Sequence, residues 1–321
     1  MNKLAIAFVL PFALAACSGN PDSANSGQPP AAAELDQPAK APPPRTSTEM
    51  FTERLDTVLA GSWRTAADKA RDQYRHPQQT LEFFGLQPRD TVIEITPGGG
   101  WYAAILAPLM KGTGTYIAAV AKPQKPQGEA ATNQTALQKL FASDPAEFGE
   151  AKTIEFDPKA PVFGPPGSAD VVLTFRNVHN WASAGTAAAM FKAFFAVLKP
   201  GGTLGVADHR AAAGKTLEQV VDTGYLPQDY VVKLATDAGF QLVAQSEINA
   251  NPKDNHDHPK GVWTLPPTLE LKDVDRDKYL AIGESDRMTL RFRKPPGDTI
   301  FDQSNDKAPA GDAKGTPPTG S

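Results

Sequence analysis

The sequence predicts a doubly wound α/β fold, in which a mostly parallel sheet of seven strands carries helices on both faces. Apolar segments of strand length alternate with segments of helical length, an order that builds parallel strands through right-handed crossovers. Residues 169–175 form a mostly apolar run, as expected of a strand covered on both faces. The last strand follows the sixth with no obvious helix of its own, so it is expected to run antiparallel.

Local signals place each element. A Pro-Gly-Gly-Gly turn ends the first strand, Gly112 and Gly114 precede the second, and Asp157-Pro158 ends the third. The Lys-Pro-Gly-Gly segment 199–202 stops a helix that carries an apolar stripe. Strands are predicted at residues 91–95, 116–120, 152–156, 169–175, 203–207, 240–248 and 286–293. Helices are predicted at residues 48–59, 64–74, 101–110, 136–141, 187–198 and 228–237.

The first residues have the pattern of an exported protein. A basic start, a short apolar stretch and small residues lead to Cys17, the one cysteine of the sequence. Leu-Ala-Ala-Cys at 14–17 resembles a bacterial lipoprotein box, which implies cleavage before Cys17 and lipid on its sulfur. Ser18, rather than Asp, follows, and by resemblance to sorted lipoproteins this implies the outer membrane, facing the periplasm. An ordinary cleavable signal is the alternative.

Composition divides the chain into four parts. We predict a signal peptide at 1–16, a Pro/Ala-rich tether at 17–47, a folded domain at 48–293 and a disordered tail at 294–321. Tether and tail contain few large apolar residues, so they cannot bury enough surface to fold.

Charge and cysteine content exclude several classes of site. There are 32 basic and 36 acidic residues, a net charge of −4, so the basic footprint of a nucleic-acid-binding protein is absent. A single cysteine excludes an intrachain disulfide and a cysteine-based metal cluster. The expected partners are a small-molecule substrate and a membrane reached through the lipid anchor.

Residues 92–101 are the most informative stretch. They predict a buried strand, a turn with Gly98, Gly99 and Gly100, and a helix. Glycines let backbone N–H groups approach a ligand, and the helix N-terminus attracts negative charge. Glu94 lies at the carboxyl end of the strand, where open α/β sheets bind ligands. The spacing is not that of a dinucleotide site, Gly-x-Gly-x-x-Gly. A tight turn without a ligand is the alternative.

This turn resembles the first motif of class I S-adenosylmethionine-dependent methyltransferases, with Thr96 in place of the first glycine. The Leu-Lys-Pro-Gly-Gly turn at 198–202 is a second mark of that superfamily. Segments 174–181 and 249–254 are similar to those of a group of predicted methyltransferases with bacterial signal sequences. The resemblance covers residues 83–293 and implies a Rossmann-like methyltransferase fold with S-adenosylmethionine as cofactor.

The resemblance also implies cofactor-binding residues. Glu94 would meet the methionine ammonium, and Asp157 would contact the adenine, although a turn-forming Asp-Pro explains it equally well. The second strand of the family usually ends in an acid that takes the ribose hydroxyls, but here Ala121 and Lys122 stand at that point. The residues expected to bind the cofactor are Glu94, Thr96, Pro97, Gly98, Gly99, Gly100, Asp157 and Asn177.

Two histidines are candidate catalytic residues. His179 follows the fourth strand, on a loop that faces cofactor and acceptor in this fold, and a histidine can be a neutral base near pH 7. His209 follows the fifth strand on the same rim. The alternatives are a histidine bonded to its loop and a surface salt-bridge network. Arg71 and Arg75 precede the sheet, where one could reach the methionine carboxylate or both could lie at a solvated helix end.

The His-Asp-His segment 256–258 could suggest a metal site and is interpreted as a polar loop. Its ligands alternate too closely for all of them to converge from one regular element, so no metal is predicted. The segment from there to Asp286 is expected to cover the sheet edge near the acceptor. Two functions remain open: a small-molecule methyltransferase, and a non-catalytic periplasmic ligand-binding lipoprotein that keeps the fold.

Overall fold

A computed structural model describes residues 46–123, 125 and 127–296. The predicted signal peptide, Cys17, most of the tether and nearly all of the tail lie outside these residues. The described part begins with Thr46, whose side chain caps helix α1 through a reciprocal hydrogen-bond pair with Glu49. No helix within 46–123, 125 and 127–296 is both long and apolar enough to span a bilayer.

The chain alternates helices and strands as predicted. The helices are α1 Ser47–Ala60, α2 Ala66–Lys69, α3 Asp72–Arg75, α4 Pro77–Phe84, α5 Ala103–Met110, α6 Glu129–Ser143, α7 Pro145–Phe148, α8 Val178–Ser183, α9 Ala187–Val197, α10 Leu217–Val220, α11 Gln228–Asp237 and α12 Arg276–Ile282. The strands are β1 Thr91–Ile95, β2 Thr115–Ala121, β3 Lys152–Phe156, β4 Ala169–Phe175, β5 Leu198–His209, β6 Gln241–Ser246 and β7 Arg287–Arg293.

The seven strands form one sheet in the order β3-β2-β1-β4-β5-β7-β6. The strands from β3 to β5 pair in parallel, and β7 inserts antiparallel between β5 and β6. The predicted α/β class, the seven strands and the antiparallel last strand are therefore confirmed. The strand order reverses at β1 and β4, so the carboxyl ends of these two strands form the crevice in which sheets of this type bind ligands.

Some boundaries differ from the prediction. The expected helix at 64–74 is two short helices, α2 and α3, and the predicted loop after β4 contains α8. β5 begins at Leu198, because the Lys-Pro-Gly-Gly segment forms an irregularity within the pairing with β4. Lys294, assigned by sequence to the tail, donates its Nζ hydrogens to the carbonyl oxygens of Phe195 and Leu198.

Alternation along β1 explains why both faces of the sheet are covered. Ile93 and Ile95 face one apolar layer, which includes α9 and α11, and Val92 faces the other, which includes α1, α4 and α5. Such burial on both faces makes the central strands mostly apolar. Glu94 shares the face of Val92 and is only 2% exposed. Such deep burial is unusual for a carboxylate.

Candidate functional site

A cavity of about 860 Å³ opens at the carboxyl ends of β1, β4 and β5, a volume in the range of small-molecule sites. It is bordered by the glycine turn, by α6, by the loop after β4 and by the segment 262–268. The lining includes most of the predicted site residues: Glu94, Thr96, Pro97, Gly98, Gly99, Asn177, His179 and His209. We call it the site cavity.

The glycines of the turn differ in their surroundings. A Cβ added to Gly98 or Gly99 would meet nothing within 4 Å, and both residues line the site cavity. Their missing side chains therefore leave space that a ligand can occupy. Gly100 has φ +94°, and a Cβ there would lie 2.7 Å from Cδ2 of Leu140. Gly100 does not line the cavity, and its role is to let α6 pack against the turn.

Thr96 takes a left-handed backbone conformation, which glycine adopts more readily than other residues. Its φ is +52°, which is uncommon for a residue with a branched side chain. Its N–H donates to the carbonyl oxygen of Ala119 on β2, at 2.8 Å. Its buried Oγ1 has no hydrogen-bond partner among the described residues, so it can bond a ligand in the site cavity.

Glu94 is the buried acid of the crevice. The hydroxyl of Tyr116 donates to its Oε2 at 2.6 Å. Burial raises the pKa of Glu94 to about 7, since the hydrogen bond from Tyr116 offsets only part of the lost hydration. A cation that enters the crevice would favour the ionised form, so Glu94 is suited to bind an ammonium group.

Asn177 connects the ends of β1 and β4. Its Nδ2 lies 3.1 Å from the carbonyl oxygen of Ile95 and 3.2 Å from that of Thr96. The amide nitrogen is therefore used to hold the glycine turn against the loop after β4. Asn177 also lines the cavity, and the hydrogen bonds of its amide nitrogen help to fix the conformation of the turn.

Asp157 lies apart from the other predicted residues. Its Oδ1 accepts a hydrogen bond from the N–H of Lys159 at 2.9 Å, which is the turn interpretation. It does not appear in the lining of the site cavity. Glu129 and Asn133 on α6, the helix between β2 and β3, line the cavity.

His179 is paired with a carboxylate. Its Nδ1 lies 2.9 Å from Oδ1 of Asp208, a residue that is fully buried at the end of β5. Asp208 also accepts hydrogen bonds from the N–H groups of Val178 and His209, at 2.7 and 2.8 Å. A carboxylate only accepts, so the neutral form of this imidazole carries its proton on Nδ1 and a lone pair on Nε2.

His209 lies beside this pair, with its ring centroid 4.9 Å from that of His179. Its Nδ1 contacts the hydroxyl of Ser285, which is also buried. Burial lowers the pKa of His209 well below its ordinary value, and the neighbouring His179 ring and Arg176 guanidinium lower it further. His209 is therefore a neutral imidazole in the wall of the site cavity.

Donor atoms of His179, Asp208 and His209 all lie within 4.8 Å of one another, a spacing at which a metal ion could be held. Two observations favour the hydrogen-bonded pair instead. Both oxygens of Asp208 already accept hydrogen bonds, and the positive charge of the Arg176 guanidinium acts on the same carboxylate.

In the 256–258 segment, His256 pairs with Asp286 and His258 with Asp254, at 3.2 and 2.8 Å. These rings bond different carboxylates and share no common centre.

Four arginines surround one buried glutamate. Glu284 is 2% exposed and forms ion pairs with Arg71, Arg75 and Arg287, at 2.8 to 3.0 Å. Burial alone would raise the pKa of Glu284, but the four guanidinium groups, including that of Arg176, lower it well below its usual range. Arg75 is only 5% exposed, so the prediction of a solvated helix end is wrong for it.

The aromatic side chains have separate roles. Trp181 packs against Phe194 in the core, with ring centroids 5.7 Å apart, and does not line the cavity. Trp101 and Trp263 do line it, and Trp263 lies 6.0 Å from the His179 ring. The predicted covering segment therefore contributes to the wall of the cavity on the side of His179.

Sequence reasoning named Arg75 only as a possible partner of the methionine carboxylate, and it missed Glu284 and Trp263. One signal was available, since Arg71 and Arg75 are four residues apart and could share a helix face. Glu284 carried none, because it is 209 residues away from Arg75 and meets it only through the tertiary fold.

No protein-family model matches the sequence, and a comparison with curated proteins finds no match. Three solved structures illustrate the similarity in fold. An S-adenosylmethionine-dependent methyltransferase from Aquifex aeolicus is 14% identical, with 76% of this chain and 98% of that chain covered and a TM-score of 0.47. The cyclase SpnF is 17% identical, with coverages of 78% and 95% and a TM-score of 0.48.

An arsenic(III) S-adenosylmethionine methyltransferase from Chlamydomonas reinhardtii is 17% identical, with coverages of 80% and 76% and a TM-score of 0.44. At such identities and TM-scores, the similarity assigns neither a family nor an activity to this chain.

Proposed function

We propose that this protein is an S-adenosylmethionine-dependent methyltransferase that acts on a small molecule. The observation that carries the proposal is that one cavity brings together Gly98 and Gly99 of the turn, the buried Glu94 and the His179–Asp208 pair. The first group suits a nucleoside with an amino-acid end, and the second suits removal of a proton from an acceptor. Both lie at the crevice where the strand order reverses.

The residues present fit the cofactor. The space beside Gly98 and Gly99 is open, Thr96 has a buried hydroxyl oxygen without a partner among the described residues, and Glu94 can ionise against an ammonium. When bound, S-adenosylmethionine supplies an electrophilic methyl group on a sulfonium. The residues at the end of β2 would not hold the ribose hydroxyls, so that part of the binding is assigned to Glu129 and Asn133 of α6.

His179 is assigned as the general base. Asp208 holds its ring through Nδ1, so Nε2 is available to accept a proton from the nucleophile of the acceptor. Methyl transfer depends mainly on in-line placement of acceptor and cofactor. Trp263 and the segment 266–268 would contribute by excluding water from that side of the cavity.

The test is a calorimetric titration of the purified protein with S-adenosylhomocysteine. We expect micromolar binding that Gly99→Asp abolishes, because the new side chain would occupy the open space beside the turn. Gly214→Asp is the matched control, since Gly214 is exposed and does not line the cavity. No binding by the wild-type protein at millimolar ligand would overturn the cofactor assignment.

A second candidate is a ligand-binding protein without transfer activity. The observation in its favour is that β2 ends at Ala121 with no carboxylate to hold a ribose. It predicts that S-adenosylhomocysteine does not bind, or binds without any acceptor giving turnover. Formation of S-adenosylhomocysteine from S-adenosylmethionine in a screen of acceptors separates the two.

We also propose that the protein is anchored in the bacterial envelope by lipid on Cys17, on the outer membrane and facing the periplasm. The support is the Leu-Ala-Ala-Cys segment with Ser18 after it. Radioactive palmitate should label the wild type and not Cys17→Ser. Label retained in that variant would show that the lipid is not attached to Cys17.

A further inference from the structure

We propose that Arg71, Arg75 and Arg176 form an anion-binding site in the wall of the site cavity, and that the acceptor carries a carboxylate or phosphate that binds there. The assignment of the bound anion to the acceptor rests on the proposed function, but the anion-binding site itself does not. The site is distinct from the glycine turn, which would hold the cofactor.

The first support is an excess of positive charge. The guanidinium groups of Arg71, Arg75, Arg176 and Arg287 surround one carboxylate, that of Glu284. Three of these arginines line the cavity, all except Arg287. The carboxylates that line the cavity are those of Asp68, Glu94 and Glu129, and among the described residues none of them pairs with these arginines.

Asp68 caps its own helix through Thr65, Glu94 lies at the glycine turn and Glu129 is exposed on α6. None of the three forms an ion pair with Arg71, Arg75 or Arg176 in the described part of the chain.

The second support is unused hydrogen-bonding capacity. Nη2 of Arg75 and Nη2 of Arg71 are buried and have no hydrogen-bond partner among the described residues. Arg75 is 5% exposed. Its Nε donates to Glu284, and its guanidinium carbon lies 4.5 Å from the centre of the Trp101 ring. Leaving such donors unpaired is costly, and an anion is the partner that would satisfy them.

Arg176 is the free member of the site. It lies at the end of β4 with φ +61°, and its guanidinium forms no hydrogen bond to any residue of 46–123, 125 and 127–296. Burial lowers the pKa of Arg176, and burial together with the charge of Arg176 lowers that of Arg75. Three guanidinium groups lining one cavity repel one another, and a bound anion would relieve that repulsion.

The position of Arg176 also indicates which ligand it serves. Arg176, His179 and His209 line the same cavity, and the charge of Arg176 acts on Glu284, on Asp208 and on His209. Arg176 is therefore near both the Glu284 cluster and the His179–Asp208 pair. An acid group bound to Arg176 would therefore bring the rest of the acceptor close to His179. The sulfonium and ammonium of S-adenosylmethionine outnumber its single carboxylate, so the bound cofactor would add a net positive charge that an anionic acceptor would balance.

Inorganic phosphate is the probe for the site. The full-length protein is titrated with phosphate by calorimetry at constant ionic strength, alone and after saturation with S-adenosylhomocysteine. We expect binding in both states, weakened about tenfold or more by Arg176→Gln, since a hydrogen bond to a charged group is lost. Arg89→Gln is the matched control, because Arg89 is exposed outside the cavity, and its affinity should match the wild type.

The outcomes distinguish the sources of the anion. If S-adenosylhomocysteine removes phosphate binding and 5′-methylthioadenosine, which lacks the amino-acid part, does not, the site serves the cofactor's carboxylate and the acceptor assignment is wrong. Equal phosphate affinity in the wild type, Arg176→Gln and Arg71→Gln, or none in the wild type, would overturn the site itself. Phosphate binding that depends on Arg176, in a protein that ignores S-adenosylhomocysteine, would support the site and overturn the proposed function.

Discussion

The Nδ1 atom of His179 lies 2.9 Å from Oδ1 of Asp208, although His179 follows β4, Asp208 lies near the end of β5 and the two are 29 positions apart. Asp208 is in turn held by the backbone N–H groups of Val178 and His209. A carboxylate with this many donors is rigid, and it sets both the tautomer and the orientation of the imidazole. The pair is thus suited to proton transfer in a cavity where the neighbouring His209 stays neutral.

We expect His179→Ala to lower kcat by about a hundredfold or more, because general base catalysis contributes at least that much. The affinity for S-adenosylhomocysteine should be unchanged. Turnover is measured with an acceptor found in the screen of small acidic molecules, and affinity by calorimetry. His256→Gln, outside the cavity, is the control. A wild-type kcat in the His179→Ala protein would refute the assignment of His179 as the general base.

Binding of S-adenosylhomocysteine at pH 6 should release a proton from Glu94. Burial raises the pKa of this carboxyl to about 7, so it is mostly protonated at pH 6, and a bound ammonium would favour the ionised form. Calorimetry in two buffers of different ionisation enthalpy measures the number released, which should approach about one. Glu94→Gln should release none; the same number in both proteins would contradict the contact.

Glu94 should also make stability depend on pH. Its folded pKa, about 7, lies above the ordinary 4.5, so the folded state binds its proton more tightly. The associated stability is fully present below about pH 4.5 and is lost as the pH rises through 7. The Glu94→Gln protein should lack this loss, which is on the order of 3 kcal/mol. Urea unfolding of both proteins at pH 5 and pH 8 measures the difference, and parallel changes in both would refute it.

Gly99 and Gly100 should respond differently to the same change. Gly100→Ala places a methyl group 2.7 Å from Leu140 and forces an alanine to a φ of +94°, so it should lower the free energy of unfolding by about 1–3 kcal/mol. Gly99→Ala meets no atom within 4 Å and should change stability by less than about 0.5 kcal/mol.

Only Gly99→Ala should weaken S-adenosylhomocysteine binding in proportion to the space it occupies in the cavity. Urea unfolding and calorimetry on the two variants test this. Equal loss of stability in both would contradict the assignment of Gly99 to ligand binding and of Gly100 to packing.

Glu284→Gln should destabilise the protein by about 3–5 kcal/mol, because it leaves buried guanidinium groups without their carboxylate. The arginines hold the folded pKa of Glu284 below its ordinary value, so its contribution is present above about pH 4.5 and is lost as the pH falls. Glu247→Gln, an exposed partner of Arg210, is the matched control and should cost far less. Similar unfolding midpoints for the two variants would show that the Glu284 cluster is not a stabilising centre.

Local patterns were sufficient for most of the fold. β1, β3 and β4 begin and end where the apolar runs and breakers predict. β1 and β4 are central strands that are mostly buried, whereas β3 is a largely exposed edge strand whose end is set by Asp157-Pro158. α8 was missed because it is short and follows an irregular segment in which Asn177 leaves the strand conformation. Helices α2 and α3 were predicted as one, since the break near Arg71 carries neither glycine nor proline.

The sequence by itself determined the α/β architecture, the glycine turn beside Glu94 and the rim positions of His179 and His209, because periodicity and turn residues act over a few neighbours. Only the tertiary structure decided that Asp208 orients His179, that Asp157 is a turn residue away from the cavity and that Glu284 gathers four arginines. These contacts join residues far apart in the chain, and burial then sets their charges, which no local pattern encodes.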